Sequence, residues 1–200
     1  MPTPDLRLQP APARDHAAPA SPSAWVLRWC ARLASGAEVL DLACGSGRHA
    51  RALAARGCRV DAVDLDPGFG DQLAGVQGVR FRVLDLERGP WDFERERYDA
   101  IVVTCYLHRP RLHLLPQALR EGGLLVYETF AAGQAQFGRP SNPDFLLQPF
   151  ELAACFAPTL HVLGFEDGVV ERPVRTRVQR LCAIRTDPMQ LDRLALPELG

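Results

Sequence analysis

The chain has 200 residues, 47% of them hydrophobic and 24% charged, enough for one globular domain that buries roughly 70% of the surface its unfolded chain would expose. Its 23 basic and 24 acidic residues leave a formal net charge of −1. That balance argues against the broad positive field of a nucleic-acid-binding face and favours small or neutral partners.

Every basic residue is Arg, a bias read as compositional. The six cysteines are scattered, with no C-x-x-C pair and no Cys/His cluster at metal-ligand spacing, so no metal site is expected. They read as small buried hydrophobes in a reducing compartment. No charged leader with an apolar run opens the chain, and no segment reaches the roughly 18 apolar residues of a membrane span. A cytoplasmic protein without membrane contact is expected.

From Met1 to about Pro22 the chain is dense in Pro and Ala without hydrophobic period, and a disordered tail is expected over 1–22, with a single domain over 23–200. Ser23 is placed to cap a helix carrying Ala24, Trp25, Leu27, Trp29 and Cys30. The run Glu38 to Ala43 predicts a strand that stops at Gly45-Ser46-Gly47, and Arg48 to Arg56 a helix closed by Gly57. Arg59 to Asp64 reads as a second strand, Pro67 to Leu73 as a turn with a short helix, and Val79 to Leu84 as a third strand. Tyr98 to Thr104 has the continuous apolar centre of a parallel strand buried on both faces. A helix from Pro110 to Arg120, ended by Gly122-Gly123, leads into a fifth strand, Leu124 to Glu128. The loop Ala131 to Pro149 carries too many Gly and Pro for a regular helix. After a helix from Phe150 to Phe156 come two β-rich stretches, Leu160 to Glu166 and Val174 to Arg185, separated by the turn signal Asp167-Gly168, with Val169 to Arg172 able to extend either strand. The alternation implies an α/β, doubly wound, seven-stranded Rossmann-like sheet, mostly parallel with a C-terminal antiparallel hairpin.

Function concentrates in Val39 to Ala50 and in Asp64, seventeen residues after Gly47. Glycines leading into a helix let backbone N–H groups approach a ligand, and a carboxylate at the tip of the second strand can accept both hydroxyls of a ribose. Gly45-x-Gly47-x-x-Ala50 also satisfies the dinucleotide fingerprint, so this motif alone does not separate a nicotinamide cofactor from S-adenosylmethionine. Asp41 points towards the second: a carboxylate inside an apolar strand is costly without a partner, a cationic or amine-bearing ligand would supply one, and a pyrophosphate would be repelled. The alternative is a buried structural acid. Asp85, just past the third strand, is placed to meet the exocyclic amine of an adenine, or is an ordinary turn residue.

Asp41-x-Ala43-Cys44-Gly45-Ser46-Gly47, Val63-Asp64-Leu65-Asp66-Pro67, Asp85-Leu86 and Tyr98 to Val103 together resemble the class I S-adenosylmethionine-dependent methyltransferases. The resemblance covers about Val39 to Glu128 closely and the closing hairpin loosely. It implies S-adenosyl-L-methionine as cofactor, with the glycine loop against its methionine part, Asp64 on the ribose and Asp85 at the adenine. Leu65, Leu86 and Cys105 join that donor-binding set. Ala43 stands where many members have a first glycine. Tyr127 to Phe130, with Gly138 to Pro143, resembles a subgroup related to the tellurite-resistance methyltransferases.

Methyl transfer from a sulfonium is an in-line displacement with an already activated donor, so the protein has mainly to align the acceptor and exclude water. A base is needed only for a protonated acceptor, and the candidates are Tyr106 and His108 after the fourth strand and Tyr127 and Glu128 at the fifth. Arg48 and His49 open the helix after the glycine turn, where they either face the expected pocket or are exposed basic residues, the default. Phe137, Arg139, Asn142 and Phe145 mark the long loop as a lid over the acceptor, or as a packed surface loop. Asn142-Pro143 is not the Asn-Pro-Pro-aromatic motif of amino methylation, and a small-molecule acceptor is expected. The rival readings are a catalytically silent S-adenosylmethionine-binding module and a nicotinamide-dependent oxidoreductase. The latter lacks any Lys for a Tyr-x-x-x-Lys pair.

Overall fold

The computed structural model describes residues 21–187. Most of the expected N-terminal tail, and residues 188–200, lie outside the described residues. Seven strands form one sheet in the order β3-β2-β1-β4-β5-β7-β6. They are β1 (Glu38–Leu42), β2 (Arg59–Asp64), β3 (Val79–Val83), β4 (Tyr98–Thr104), β5 (Leu119–Phe130), β6 (His161–Val170) and β7 (Thr176–Ile184). The first five run parallel, and β7 pairs antiparallel with both β5 and β6. This is the sheet expected from the alternation of elements.

Strand order reverses between β1 and β4, so the connections leaving their paired carboxyl ends turn to opposite faces of the sheet and leave a crevice between them, the place where open α/β sheets bind ligands. Both strands are apolar throughout their centres because both faces are covered. On one face lie α1 (Ala24–Cys30), α2 (Arg48–Ala54) and α3 (Gly68–Leu73), which contribute Trp25, Trp29, Leu53 and Leu73 to a core with Val39, Val60 and Val102. On the other lie a 3₁₀ turn (Arg109–Leu114), α4 (Leu115–Ala118) and α5 (Glu151–Phe156), which pack Leu112, Leu115, Leu152 and Phe156 on Leu40, Ile101 and Tyr127.

Three local expectations are corrected. The Asp167-Gly168 pair is not a turn: β6 runs straight through it to Val170, and the chain reverses over residues 171–175. Asp167 stays in the strand because its carboxylate is engaged sideways, by an ion pair with Arg177 and a 3.2 Å hydrogen bond from Gln179 Nε2. The helix expected to reach Arg120 ends at Ala118, where Leu119 pairs with Tyr98 and begins β5. Pro110 and Pro116 in this stretch leave first a tight 3₁₀ turn and then a four-residue helix. Ser23 occupies the N-cap position of α1, but its hydroxyl makes no cap bond and donates instead to Glu128, 2.9 Å away.

Candidate functional site

The turn after β1 carries the site. Ala43, Gly45 and Gly47 all adopt left-handed backbone, with φ of 55°, 54° and 74°. A side chain at Gly47 would be strained by the left-handed backbone, and its Cβ, 2.4 Å from Leu73 Cδ2, would force Leu73 to shift. The turn is tied to β2 by the Cys44 N–H on the Val63 carbonyl, at 2.9 Å. Ser46 is half-buried within it, and burial pushes the Cys44 thiol up, so that it packs as a neutral group.

Asp41 is almost wholly buried, and its Oδ2 accepts from the Ala50 N–H at 3.0 Å. It thereby satisfies one of the orphan donors at the start of α2, where the helix dipole favours a negative charge. No cation forms an ion pair with it among the described residues, and burial pushes its carboxyl up to about 7 against that one backbone hydrogen bond. The partner that the sequence reading sought in a ligand is therefore first a helix N–H. His49, expected to be an exposed basic residue, is buried. Burial pushes it down to about 3. Its Nε2 accepts from the Ser23 N–H at 3.1 Å, which puts the ring proton on Nδ1, facing Thr104 Oγ1 at 3.4 Å.

Asp64 ends β2, buried, with Oδ2 accepting from the Gly45 N–H at 2.8 Å and Oδ1 from the Asp66 N–H at 3.2 Å. The glycine turn and this carboxylate are thus held as one unit. Beside it Leu65 is 62% exposed, an apolar surface at the same strand end. Asp85 lies on the exposed rim past β3, where its Oδ1 accepts from the N–H groups of Glu87 and Arg88, each at 2.9 Å. Those bonds hold its carboxyl below the usual range, and they give it the turn role that the sequence reading set against adenine contact. Its Oδ2 has no hydrogen-bond partner among the described residues, and Leu86 next to it is buried. Carboxylate acceptors at Asp64 and Asp85, an exposed leucine and a glycine turn follow one another along the carboxyl ends of β1, β2 and β3. This donor and acceptor set fits a polar ribose, an adenine amine and an apolar ring face.

At the ends of β4 and β5, Cys105 is exposed in left-handed backbone and its N–H bonds the Glu128 carbonyl at 3.0 Å. Cys105 and half-buried Cys155 depart from the expectation that all six cysteines are buried. Glu128 is committed: Arg180 Nε donates to its Oε2 at 2.6 Å, alongside the Ser23 hydroxyl. Sequence reasoning missed Arg180, which sits fifty-two residues away on β7 and is brought beside Glu128 by antiparallel register. Tyr106 and His108 line a narrow cleft of about 10 Å³, room for about one water, together with Trp91, Arg111, Leu115 and Tyr127. Burial, and then the charge of Glu87, push the Tyr106 phenol up, so it is a proton donor rather than a base.

The long loop is anchored at both ends. Buried Gln134 donates to the Arg139 carbonyl and accepts from the Arg177 N–H, and Ala131 bridges Leu147. Arg109 holds the far end, donating to the carbonyls of Asp144 and Leu146 at 2.6 and 2.9 Å and to Glu151 at 2.6 Å. That anchor was invisible in a sequence where Arg109-Pro110 suggests only an exposed turn. Asn142 Oδ1 accepts from the Asp144 N–H, and Arg175 stacks over Phe137 at 5.2 Å. Arg139 is exposed and Phe145 is 51% exposed. Among the described residues no group of three or more His, Cys, Asp or Glu could hold a metal, and no helix is long and apolar enough to cross a membrane.

Residues 39–123 match the family described as Methyltransferase domain. The malonyl-[acyl-carrier protein] O-methyltransferase of Serratia marcescens is 34% identical over 111 residues, half of this chain but only 41% of that protein's length. TehB from Haemophilus influenzae superposes with a TM-score of 0.67 at 19% identity, covering 80% of this chain and 61% of that one. The 1,6-didemethyltoxoflavin-N1-methyltransferase of Burkholderia thailandensis, solved with S-adenosylhomocysteine bound, gives a TM-score of 0.61 at 22% identity, covering 82% and 77%.

Proposed function

We propose that this chain, whose residues 39–123 match the family described as Methyltransferase domain, is a class I S-adenosylmethionine-dependent methyltransferase that transfers the donor's methyl group to a small-molecule acceptor. The observation that carries the reading is the union of Asp64 with the glycine turn: one buried carboxylate fixes Gly45 through Oδ2 and keeps lone pairs on both oxygens for a diol. When bound, S-adenosylmethionine supplies a methyl group already activated on a sulfonium. The residues that would hold it are Ala43 to Gly47 at the methionine end, Asp64 and Leu65 at the ribose, Asp85 and Leu86 at the adenine, and Cys105 across the crevice. Asp41 acts through α2, setting the angle at which the turn's N–H groups are presented.

On the acceptor side three of the candidate residues divide by their surroundings. Glu128, bound by Arg180 and Ser23, is a strut between β5, β7 and the start of α1 and has little freedom to take a proton. Tyr106 donates. His108, lining the cleft at the start of the 3₁₀ turn, is the residue available to receive a proton if the acceptor carries one. The projecting part of the loop, with Arg139 and Phe145, closes over the acceptor and excludes water.

Calorimetric titration with S-adenosylmethionine, and with NAD as control, tests the donor assignment. Micromolar binding of the sulfonium alone is expected, and Asp64→Ala should weaken it by about 30- to 150-fold, the loss of a charge-assisted hydrogen-bond pair. Unchanged affinity in that variant removes Asp64 from the site. Donor binding without transfer to any of a panel of thiol, oxyanion and amine nucleophiles favours the silent-module reading.

A further inference from the structure

The segment just ahead of α1 is tied across the carboxyl edge of the sheet. Arg48 Nη1 donates to the Ser21 carbonyl at 3.3 Å, the Ser23 N–H to His49 Nε2 at 3.1 Å, and the Ser23 hydroxyl to Glu128 Oε2 at 2.9 Å. Arg48 and His49 open α2 directly after Gly47, and Glu128 lies near the end of β5, so residues 21–23 bridge from the glycine turn past the end of β4. This span leaves one cation underused. Arg48 is half-buried, its long bond to a neutral carbonyl is its fork's only hydrogen bond among the described residues, and no carboxylate there pairs with it. Its neighbours are engaged: Arg180 lies between Glu128 and Glu166, and Arg51 donates to the Gln72 carbonyl.

The turn beside Arg48 is acidic. Burial raises the Cys44 thiol most, and the charges of Asp41 and Asp64 raise it further. The guanidinium acts on the same ground: at Asp41 its charge joins the Ala50 N–H in opposing burial, and at His49 it adds to burial. A field made by two carboxylates draws in the sulfonium and the ammonium of a methionine-type donor and opposes its α-carboxylate. Seating the whole zwitterion there requires a cation for that carboxylate. A charge-assisted fork to a carboxylate is stronger than a 3.3 Å bond to a neutral carbonyl, so a ligand carboxylate outcompetes Ser21 for the guanidinium. We propose that Arg48 holds the α-carboxylate at the methionine end of the donor and makes the site selective for ligands that carry it. This rests on the methyl-transfer reading.

The test is calorimetry of the full chain with three ligands: S-adenosylhomocysteine, S-adenosyl-3-thiopropylamine, which keeps the ammonium and lacks the carboxylate, and 5′-methylthioadenosine, which lacks both. The parent binds S-adenosylhomocysteine at least about 5-fold more tightly than the thiopropylamine compound. Arg48→Met weakens S-adenosylhomocysteine by about 5- to 30-fold, less than for an enclosed pair because Arg48 is only half-buried, and weakens the other two by no more than about 2-fold. Arg48→Lys recovers part of the loss. Equal losses for all three ligands in Arg48→Met make Arg48 a strut of the turn, and unchanged S-adenosylhomocysteine affinity leaves its guanidinium outside the site; either result overturns the proposal. So does a parent that binds the compounds with and without the carboxylate alike, a measurement that needs no variant to fold. Failure of the parent to bind any of the three overturns the methyl-transfer reading itself. Asp64→Ala, by contrast, should weaken all three together, which separates the ribose contact from this one.

Discussion

Asp41 and Asp61 lie on the neighbouring strands β1 and β2, one register step apart, since Asp41 pairs with Ala62 and Asp61 with Leu40; both are buried, and they are treated in opposite ways. Asp61 accepts both fork bonds of Arg80 at 2.9 Å, the Tyr98 hydroxyl at 2.9 Å and an ion pair from Arg97 at 3.1 Å. Burial pushes its carboxyl up, but the Arg80 and Tyr98 hydrogen bonds and the Arg97 charge outweigh burial and hold it below the usual range. Asp41 has one backbone N–H and no ion pair, and burial wins. The amino-terminal side of the sheet, around Glu38, Asp61 and Arg97, therefore spends its acids on ionic closure. The carboxyl edge keeps Asp41 and Asp64 on backbone amides, with no arginine fork across them. A carboxylate that a structure merely needs is surrounded by guanidinium groups. Asp41 and Asp64, at the proposed donor site, keep spare lone pairs beside their backbone amides.

The largest expected effect separates the two acids by pH. Asp41 is raised from an ordinary carboxylate value to about 7, so between roughly pH 4 and 7 the folded chain holds a proton that the unfolded chain has lost, and stability falls as pH rises through that window. Comparing the parent with Asp41→Asn by urea unfolding from pH 4 to 8, the parent should lose ground steadily to pH 7 and then level off, by at most about 4 kcal/mol. A flat difference would mean that Asp41 is ionised throughout. Asp61 has the opposite sign: its contribution is present above the unfolded carboxylate range and is lost as pH falls through its depressed folded value. Asp61→Ala at pH 7 leaves the buried Tyr98 hydroxyl without its partner and Arg97 with Glu38 as its remaining hydrogen-bonded acid, at a cost of about 2–3 kcal/mol. This is less than for a wholly enclosed pair, because the Arg80 side chain is 60% exposed. Donor affinity of the refolded variant should be unchanged, and a loss there would join the two edges of the sheet in one site.

What the sequence made legible follows the same division. Strands β1, β2 and β4 were plain because their apolar runs, broken by a single aspartate in β1 and in β2, have few other uses, and the place of Asp64 at the end of β2 was plain because its distance from Gly47 is fixed by one helix and one strand. The side-chain partners across the sheet were not. Arg180 meets Glu128, and Asp167 meets Gln179, through antiparallel register that no local window records. Asp167-Gly168 misled for this reason: turn propensity is local, and a carboxylate bonded across the strand overrode it. His49 has the sequence signature of an exposed basic residue, yet it is folded inward by contacts with Ser23 and Thr104, respectively 26 and 55 residues away.

Ala43 offers the finest test of the contrast, because it lies where the strand that carries Asp41 becomes the turn that Asp64 holds. With φ at 55° it bears the steric cost that L-residues incur in left-handed backbone, about 1–2 kcal/mol, while a glycine there would add unfolded-state entropy worth about 0.4–1 kcal/mol. Ala43→Gly should therefore stabilise the chain by about 0.5–1 kcal/mol in urea unfolding, with the Gly45–Asp64 bond kept and donor affinity held within about 2-fold. Destabilisation would mean that the turn relies on the alanine methyl, which packs against Leu42 and its neighbours in the core on the Tyr127 face of the sheet. A gain in stability paired with a large loss of donor affinity would be more informative still. It would show that the strained alanine fixes the glycine turn in the shape the donor requires, so that stability is sacrificed at the carboxyl edge for the rigidity that ionic pairing provides on the opposite side.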